Sequence, residues 1–359
     1  MRVLVDLARG KAFRVVAVLL AVLAVAAGAI FATGTYDRWR DGRAVSRACE
    51  GIVAQGELKE FLGVDGRLTS DRDWASSDRA DRKCVIYAPD GEKEGHAWLK
   101  VTLGQGRPSQ QLLTDLGRNE SYSVTAFVSP IGNGWRGVFG NFSTPDDRAT
   151  VVMPCGGKAA EDLVVNLQAQ PRNRGAGKSD ERRARFARIA TQTAVKAAEE
   201  VGCKAPPGRE IERVPDVPPL VSMTPRGKAT GTCAGINAPV LESAADPLAP
   251  IEDCFVLDEK GEPSFRLAAY YGPFVQNGRV DTSVRGDTFT APAGHSDGVY
   301  WTSTSCPKQG GTAFYTAETL RTSGAFTKPD SAVQQAALAH FAKRSAQAHG
   351  CSLSFTVPD

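Results

Sequence analysis

Histidine is scarce in this chain: four residues in 359, at positions 96, 295, 340 and 349. His340 and His349 stand nine apart on one predicted helix, not at the i, i+4 spacing of a ligand pair. No C-x-x-C occurs, so no local pattern supports a zinc site, and neither metal nor cofactor is expected. An excess of one charge is lacking too. The whole chain has 43 basic and 40 acidic residues, and positions 1–14 hold four basic and one acidic. Beyond position 14, 39 of each remain. A nucleic-acid partner is excluded, because such binding leans on a basic surface. Regular strand–helix alternation is also absent, which argues against a parallel sheet.

Cysteine, by contrast, is plentiful and placed in a pattern written twice. Cys49, Cys84, Cys155 and Cys203 form one set; Cys233, Cys254, Cys306 and Cys351 form the other. Internal repeats reset the whole reading of a fold, so they come first. Cys84 and Cys254 each open an apolar run, a turn containing Gly91 or Gly261, and an alternating run ending at Gly104 or Gly272. That is a β-hairpin pattern. RATVVMPC leads into Cys155 and GVYWTSTSC into Cys306; a glycine loop and another strand-like run (163–168 and 313–320) follow each. Residues 181–201 and 331–349 are Ala-rich with apolar stripes at helical spacing, and each helix stops at Gly-Cys. Ser331 with Gln334 reads as a capping box. The front of each copy is less alike: residues 42–63 read as a helix broken near Gly56, and the region around Cys233 is less helical.

The apolar run 15–33 carries no charge over 19 residues, about the length that crosses a bilayer core. Arg2, Arg9, Lys11 and Arg14 precede it. That bias predicts a cytoplasmic tail (1–14), a membrane helix (15–33) and extracytoplasmic residues beyond it. A cleaved signal peptide ending near Ala27-Gly28-Ala29 is the rival. No cysteine ends the run, so a lipoprotein anchor is not expected. Eight cysteines outside the cytoplasm read as four disulfides. A strand and a helix that both end in cysteine meet when the helix packs on its sheet. Sequence leaves the connectivity open, links between the two sets included; the pairing expected is within copies: Cys49–Cys84, Cys155–Cys203, Cys233–Cys254 and Cys306–Cys351. The proline-rich stretch 204–231 reads as an extended spacer between copies 42–203 and 232–359.

Motifs for chemistry are few. Gly294–Gly298 is a literal G-x-S-x-G with Ser296 as nucleophile, but a strand pattern follows it where a nucleophile elbow needs a helix. Aligning Cys155 with Cys306 without gaps sets Ser296 opposite Pro145. GAGKS at 175–179 resembles the end of a P-loop, but Arg172 stands where the first glycine belongs. Trp98, Trp135, Trp301, Tyr270, Tyr271 and Tyr300 fall in strand-like regions, as core or as a partly exposed ligand lining. Arg182, Arg183, Arg185 and Arg188 read as a solvated helix face rather than a lipid patch. Asn119 and Asn141 open glycosylation sequons.

The cysteine-led hairpin and the closing helix ending in Gly-Cys resemble disulfide-bonded extracytoplasmic domains of actinobacterial membrane-anchored proteins and lipoproteins, including sensor domains of receptor kinases. The resemblance implies a sensor- or lipoprotein-like module and assigns no functional residue. The expected fold is α+β: a membrane helix, then two similar domains, each an antiparallel sheet with packed helices. The expected function is a single-pass tandem binding or sensing module without enzymatic activity, its ligand a protein or small molecule. A serine hydrolase using Ser296 and a structural partner in an envelope assembly are the alternatives.

Overall fold

The computed structural model describes residues 16, 18–29, 48–65, 68–71, 81–88, 97–105, 116, 127–141, 146–156, 161–172, 180–215, 223–279, 289–296, 298–322 and 325–356. Gly91, His96, Asn119, residues 1–14, the first part of the expected helix 42–63, and residues 175–179 lie outside them.

The described chain is α+β, built on two main antiparallel sheets. The first has β1 (Thr69–Asp71), β2 (Asp81–Tyr87), β3 (Trp98–Gln105), β4 (Phe127–Pro130), β5 (Gly137–Asn141), β6 (Asp147–Met153) and β7 (Leu163–Gln170), in the order β1-β2-β3-β7-β6-β5-β4. The second has β8 (Val240–Glu242), β9 (Ile251–Leu257), β10 (Pro263–Tyr270), β11 (Ala293–Ser296), β12 (Val299–Cys306) and β13 (Gly311–Thr319), in the order β8-β9-β10-β13-β12-β11. Apart from the extra edge strand β4, the two orders correspond strand for strand. The register agrees: Cys84 faces Val101 and Cys254 faces Leu267 across their hairpins.

That register corrects the ungapped alignment of the copies. Ser296 pairs with Val299, whereas on β5 and β6 the equivalent rung joins Gly140 to Arg148. Ser296 therefore corresponds to Gly140, not Pro145. The β5–β6 connection is longer than the β11–β12 turn, so counting back from the cysteines slips once the turn is crossed.

Helices α1 (Leu58–Leu62), α2 (Asp180–Glu200), α3 (Phe274–Arg279) and α4 (Ser331–His349) complete the fold. From residue 48 on, where it is described, the stretch expected as a helix broken near Gly56 is interrupted over a wider span. A short 3-10 turn covers Ala48–Gly51, with Cys49 and Glu50 at φ 52° and 56°, and α1 follows separately. Two successive left-handed residues break the helical ladder. The capping box is also corrected. Asp330, not Ser331, is the N-cap of α4, and its carboxylate accepts from the Ala332 and Val333 amides. Gln334 turns inward instead and donates to the carbonyls of Gly298 and Ala317. Asp330→Ala should lower stability by about 1 kcal/mol, read from the urea midpoint. No change would mean that packing alone starts the helix.

Each closing helix covers one face of its own sheet. Phe186, Ile189, Ala190, Ala194 and Ala197 of α2 pack with Val151, Val165 and Leu167. Leu338, Phe341 and Ala342 of α4 pack with Val256, Leu267 and Tyr315. The opposite faces meet each other. Val138, Val152 and Val164 of the first sheet share a buried cluster with Ile251, Ala268, Tyr270 and Phe314 of the second. The layers thus run helix, sheet, sheet, helix. Strand β4 tightens the seam: its Val128 amide donates to Asp253 Oδ2, and Phe127 lies against Phe255. The Cys49–Cys84, Cys155–Cys203, Cys233–Cys254 and Cys306–Cys351 bonds are the within-copy pairs expected.

The proline-rich stretch is not free of the sheets where it is described. Ile211 and Val214 are buried in the first core. Trp135 Nε1 donates to the Arg209 carbonyl, the Arg209 amide donates to the Asn133 carbonyl, and Thr224 bridges to Val240. Prolines leave backbone groups without ladder partners, and side chains and loop carbonyls meet them here.

Residues 18–29 are helical, and Val18, Leu19, Leu20, Val22, Leu23 and Val25 are each more than half exposed. Among the described residues no helix is long and apolar enough to cross a membrane, and the expected 15–33 span is described only in this part.

Candidate functional site

The residues singled out for chemistry are scattered. Ser296 ends edge strand β11, Gly298 takes φ 82°, and β12 follows at once, so the G-x-S-x-G sits on a hairpin. No described histidine is hydrogen-bonded to Ser296. His295 is exposed, 5.7 Å from the Tyr300 ring, and His340 lies exposed on α4. Trp301 packs on Phe289 at 4.3 Å and Trp135 against Gly208, while Tyr270 and Tyr271 are buried, so these four aromatics belong to the core. The α2 arginines are bound into a lattice of acids. Arg188 pairs with Glu57 (2.6 Å) and Glu181 (3.1 Å), Arg185 with Glu60 (2.7 Å), and Arg182 with Asp147. Arg188 first, by hydrogen bond and charge, holds the Glu57 carboxyl below its usual range despite partial burial.

The densest chemistry lies under α4 and had no motif in the sequence. Glu252, on β9, is 2% exposed. Its carboxylate accepts from Arg344 (2.5 Å), Ser345 (2.7 Å) and His349 Nε2 (3.3 Å). His349 Nδ1 lies 3.4 Å from the Gln309 amide nitrogen, and its ring stacks on Tyr271 at 3.8 Å. The Tyr271 hydroxyl bonds Ser345 and reaches Tyr315 at 3.5 Å. Burial alone would raise the Glu252 pKa; the His349 and Arg344 contacts outweigh it and hold the group at about 2. Burial pushes both tyrosines up. Ser345 is fully buried and bonded to the carboxylate rather than to the imidazole. The group therefore anchors a helix and offers no open nucleophile.

A second buried carboxyl marks the corner where the halves touch. Asp162 is 5% exposed and accepts from the Cys155 amide, and a Cβ on Gly272 would come within 3.8 Å of its Oδ2. Arg136 attracts it and donates its own proton to the Lys308 carbonyl, 3.2 Å away. Burial dominates and lifts the Asp162 pKa to about 6. A carboxyl raised in the folded state favours folding below its unfolded pKa, and that benefit fades as pH rises through about 6. Asp162→Asn should therefore raise stability at pH 7, by up to about 3 kcal/mol, and have little effect near pH 3.5. A variant less stable at pH 7 would mean that the ionised group is needed.

The remaining candidate is a sheet face. Register places Trp98, Lys100 and Thr102 of β3 beside Gln170, Gln168 and Asn166 of β7, on the side that carries the seam. Toward β5 and β4 that side is buried against the second sheet; toward β2 and β3 it is not. Val85, Tyr87, Trp98, Lys100, Thr102, Gln168 and Gln170 are all partly exposed and Lys83 is exposed. Tyr87, Trp98 and Gln170 form one cross-strand row, and Trp98 Nε1 donates to Gln170 Oε1 at 3.3 Å. The matching face of the second sheet, with Asp253, Phe255, Arg266 and Tyr270, is buried. A flat row of two aromatic rings and amides can stack on a planar or pyranose surface and bond its hydroxyls. Trp98 was in view from the sequence; Tyr87, Gln168 and Gln170 were not, because face-sharing across strands is a matter of register.

No family model, no curated protein and no solved structure matches the chain.

Proposed function

We propose that this protein is a binding or sensing module held at the outer side of a membrane by residues 15–33, with no enzymatic activity. The β2–β3–β7 face around Trp98 is its ligand platform. One observation carries the reading: the seam side is buried along β9 and at Arg266, Ala268 and Tyr270 of β10 in the second half, whereas the equivalent β2–β3 hairpin of the first is left partly open on that side, at a row of aromatic and amide side chains. Four disulfides fit an oxidising compartment, and the exposed Val and Leu side chains of 18–29 fit a lipid environment. The matching strand orders support two similar domains, 42–203 and 232–359.

The test is retention on an array of immobilised polysaccharides and peptides, with residues 42–359 as probe. Trp98→Ala should weaken the best hit about tenfold or more, the loss of roughly 1.4 kcal/mol of ring contact. Ser296→Ala should leave it unchanged. Binding that ignores Trp98 but depends on Ser296 would reverse the reading. Membrane attachment is tested separately: carbonate extraction should leave the full chain in the pellet.

A further inference from the structure

Two sheets of one strand order, each awaiting a helix that ends in Gly-Cys, create a sorting problem. Either helix could dock on either sheet, and a wrong choice would bring Cys203 to Cys306 and Cys351 to Cys155. Similar neighbours in one chain are prone to such misassembly.

The strand position two residues before the second cysteine differs in sign between the halves. In the first it is Arg82, whose Nη1 meets Glu200 of α2 at 2.5 Å and Glu50 at 2.7 Å. In the second it is Glu252, which holds Arg344, Ser345 and His349 of α4. The ladders confirm the equivalence: Arg82 stands opposite Leu103 and Glu252 opposite Ala269, each two rungs from its cysteine rung. Both charges face the closing helix, and both are mostly buried, with 14% and 1% of the side chain exposed.

Exchanging the helices would reverse these contacts. Counted back from the cysteines, Ala348 replaces Glu200, and Lys196, Ala197 and Val201 replace Arg344, Ser345 and His349. Helix α4 on the first sheet would bring Arg344 toward Arg82 and leave no acid in the place of Glu200. Helix α2 on the second sheet would keep one cation, Lys196, but remove two hydrogen bonds from a buried carboxylate and bring Glu200 toward it. Discrimination by repulsion in the wrong complex is a general route to specificity.

We propose that the opposite charges at Arg82 and Glu252 sort the two closing helices, and with them the cysteines at their ends, each to its own sheet during oxidative folding. The device is independent of what the open face binds.

The test is refolding of the reduced, denatured full chain in a glutathione buffer, followed by non-reducing peptide mapping. One variant carries Arg82→Glu with Glu200→Arg, giving the first half the sign of the second while keeping a local pair. A companion carries Arg82→Gln with Glu200→Gln. Both include Glu50→Gln, which removes the second acid bonded to Arg82 beside Glu200. The Cys155–Cys351 and Cys203–Cys306 links should rise about fivefold or more over wild type in the reversed variant, and clearly less in the neutral one. Crossed links at the wild-type level, or equal in both variants, would overturn the proposal. Mapping reads misfolded products directly, so a variant that fails to reach the native fold still answers.

Discussion

Glu252→Gln lowers stability by about 3 kcal/mol at pH 7 in urea unfolding, toward the lower end of the cost of breaking a buried ion pair. The lower end applies because Arg344, 18% exposed, can turn toward water, whereas His349 and Ser345 cannot. The same carboxylate shapes the acid limb of the stability curve. Its folded-state pKa is depressed from 4.5 to about 2. Its contribution is therefore complete above about pH 4.5 and is lost as pH falls toward about 2. Wild type should lose stability over that window and the variant should be flatter there. Parallel curves, or a loss under about 1 kcal/mol at pH 7, would show that α4 is held by its apolar face alone.

Removing Cys306–Cys351 by paired serine substitution costs about 4 kcal/mol in the chain-entropy account, and removing Cys233–Cys254 about 3 kcal/mol. The order follows from the loops closed, 45 residues in the first case and 21 in the second. A second reason reinforces it. The longer link fixes the end of α4, which buries Leu338 and Phe341 and meets Glu252 through His349, two residues before the cysteine. The check is the denaturant midpoint of each double variant, with the m-value compared to detect a change in the denatured state. Equal losses, or a larger loss from the shorter loop, would place the effect in native-state strain or packing instead.

The strands and closing helices were legible because local pattern and tertiary demand agree. The β-rich runs before Cys155 and Cys306 became β6 and β12, and the Ala-rich stretches became α2 and α4 within a residue of the expected ends. Elsewhere a local signal lost to a tertiary one. Ser331 and Gln334 match a capping box, but Gln334 answers two buried carbonyls and leaves the cap to Asp330. Ser296 was set opposite Pro145 by counting, and hydrogen-bond register moved it to Gly140. The Arg-rich face of α2 read as solvated because the acids that pair with Arg185 and Arg188, Glu57 at the start of α1 and Glu60 on it, lie more than a hundred residues earlier. The candidate face escaped notice for a related reason: Tyr87, Trp98 and Gln170 become neighbours only when β2, β3 and β7 pair.

By itself the sequence determined the repeated cysteine frame, the two helices that end in Gly-Cys and the antiparallel hairpins; the structure decided which cysteines pair. Those sequence features follow from spacing, propensity and turn chemistry within one copy. Only the tertiary structure decided that the two sheets share a seam, that Glu252 and His349 meet beneath α4, and which sheet face stays open. Those outcomes depend on which strand faces coincide. Strand residues alternate sides one by one, so local composition leaves that coincidence undetermined until every register is set.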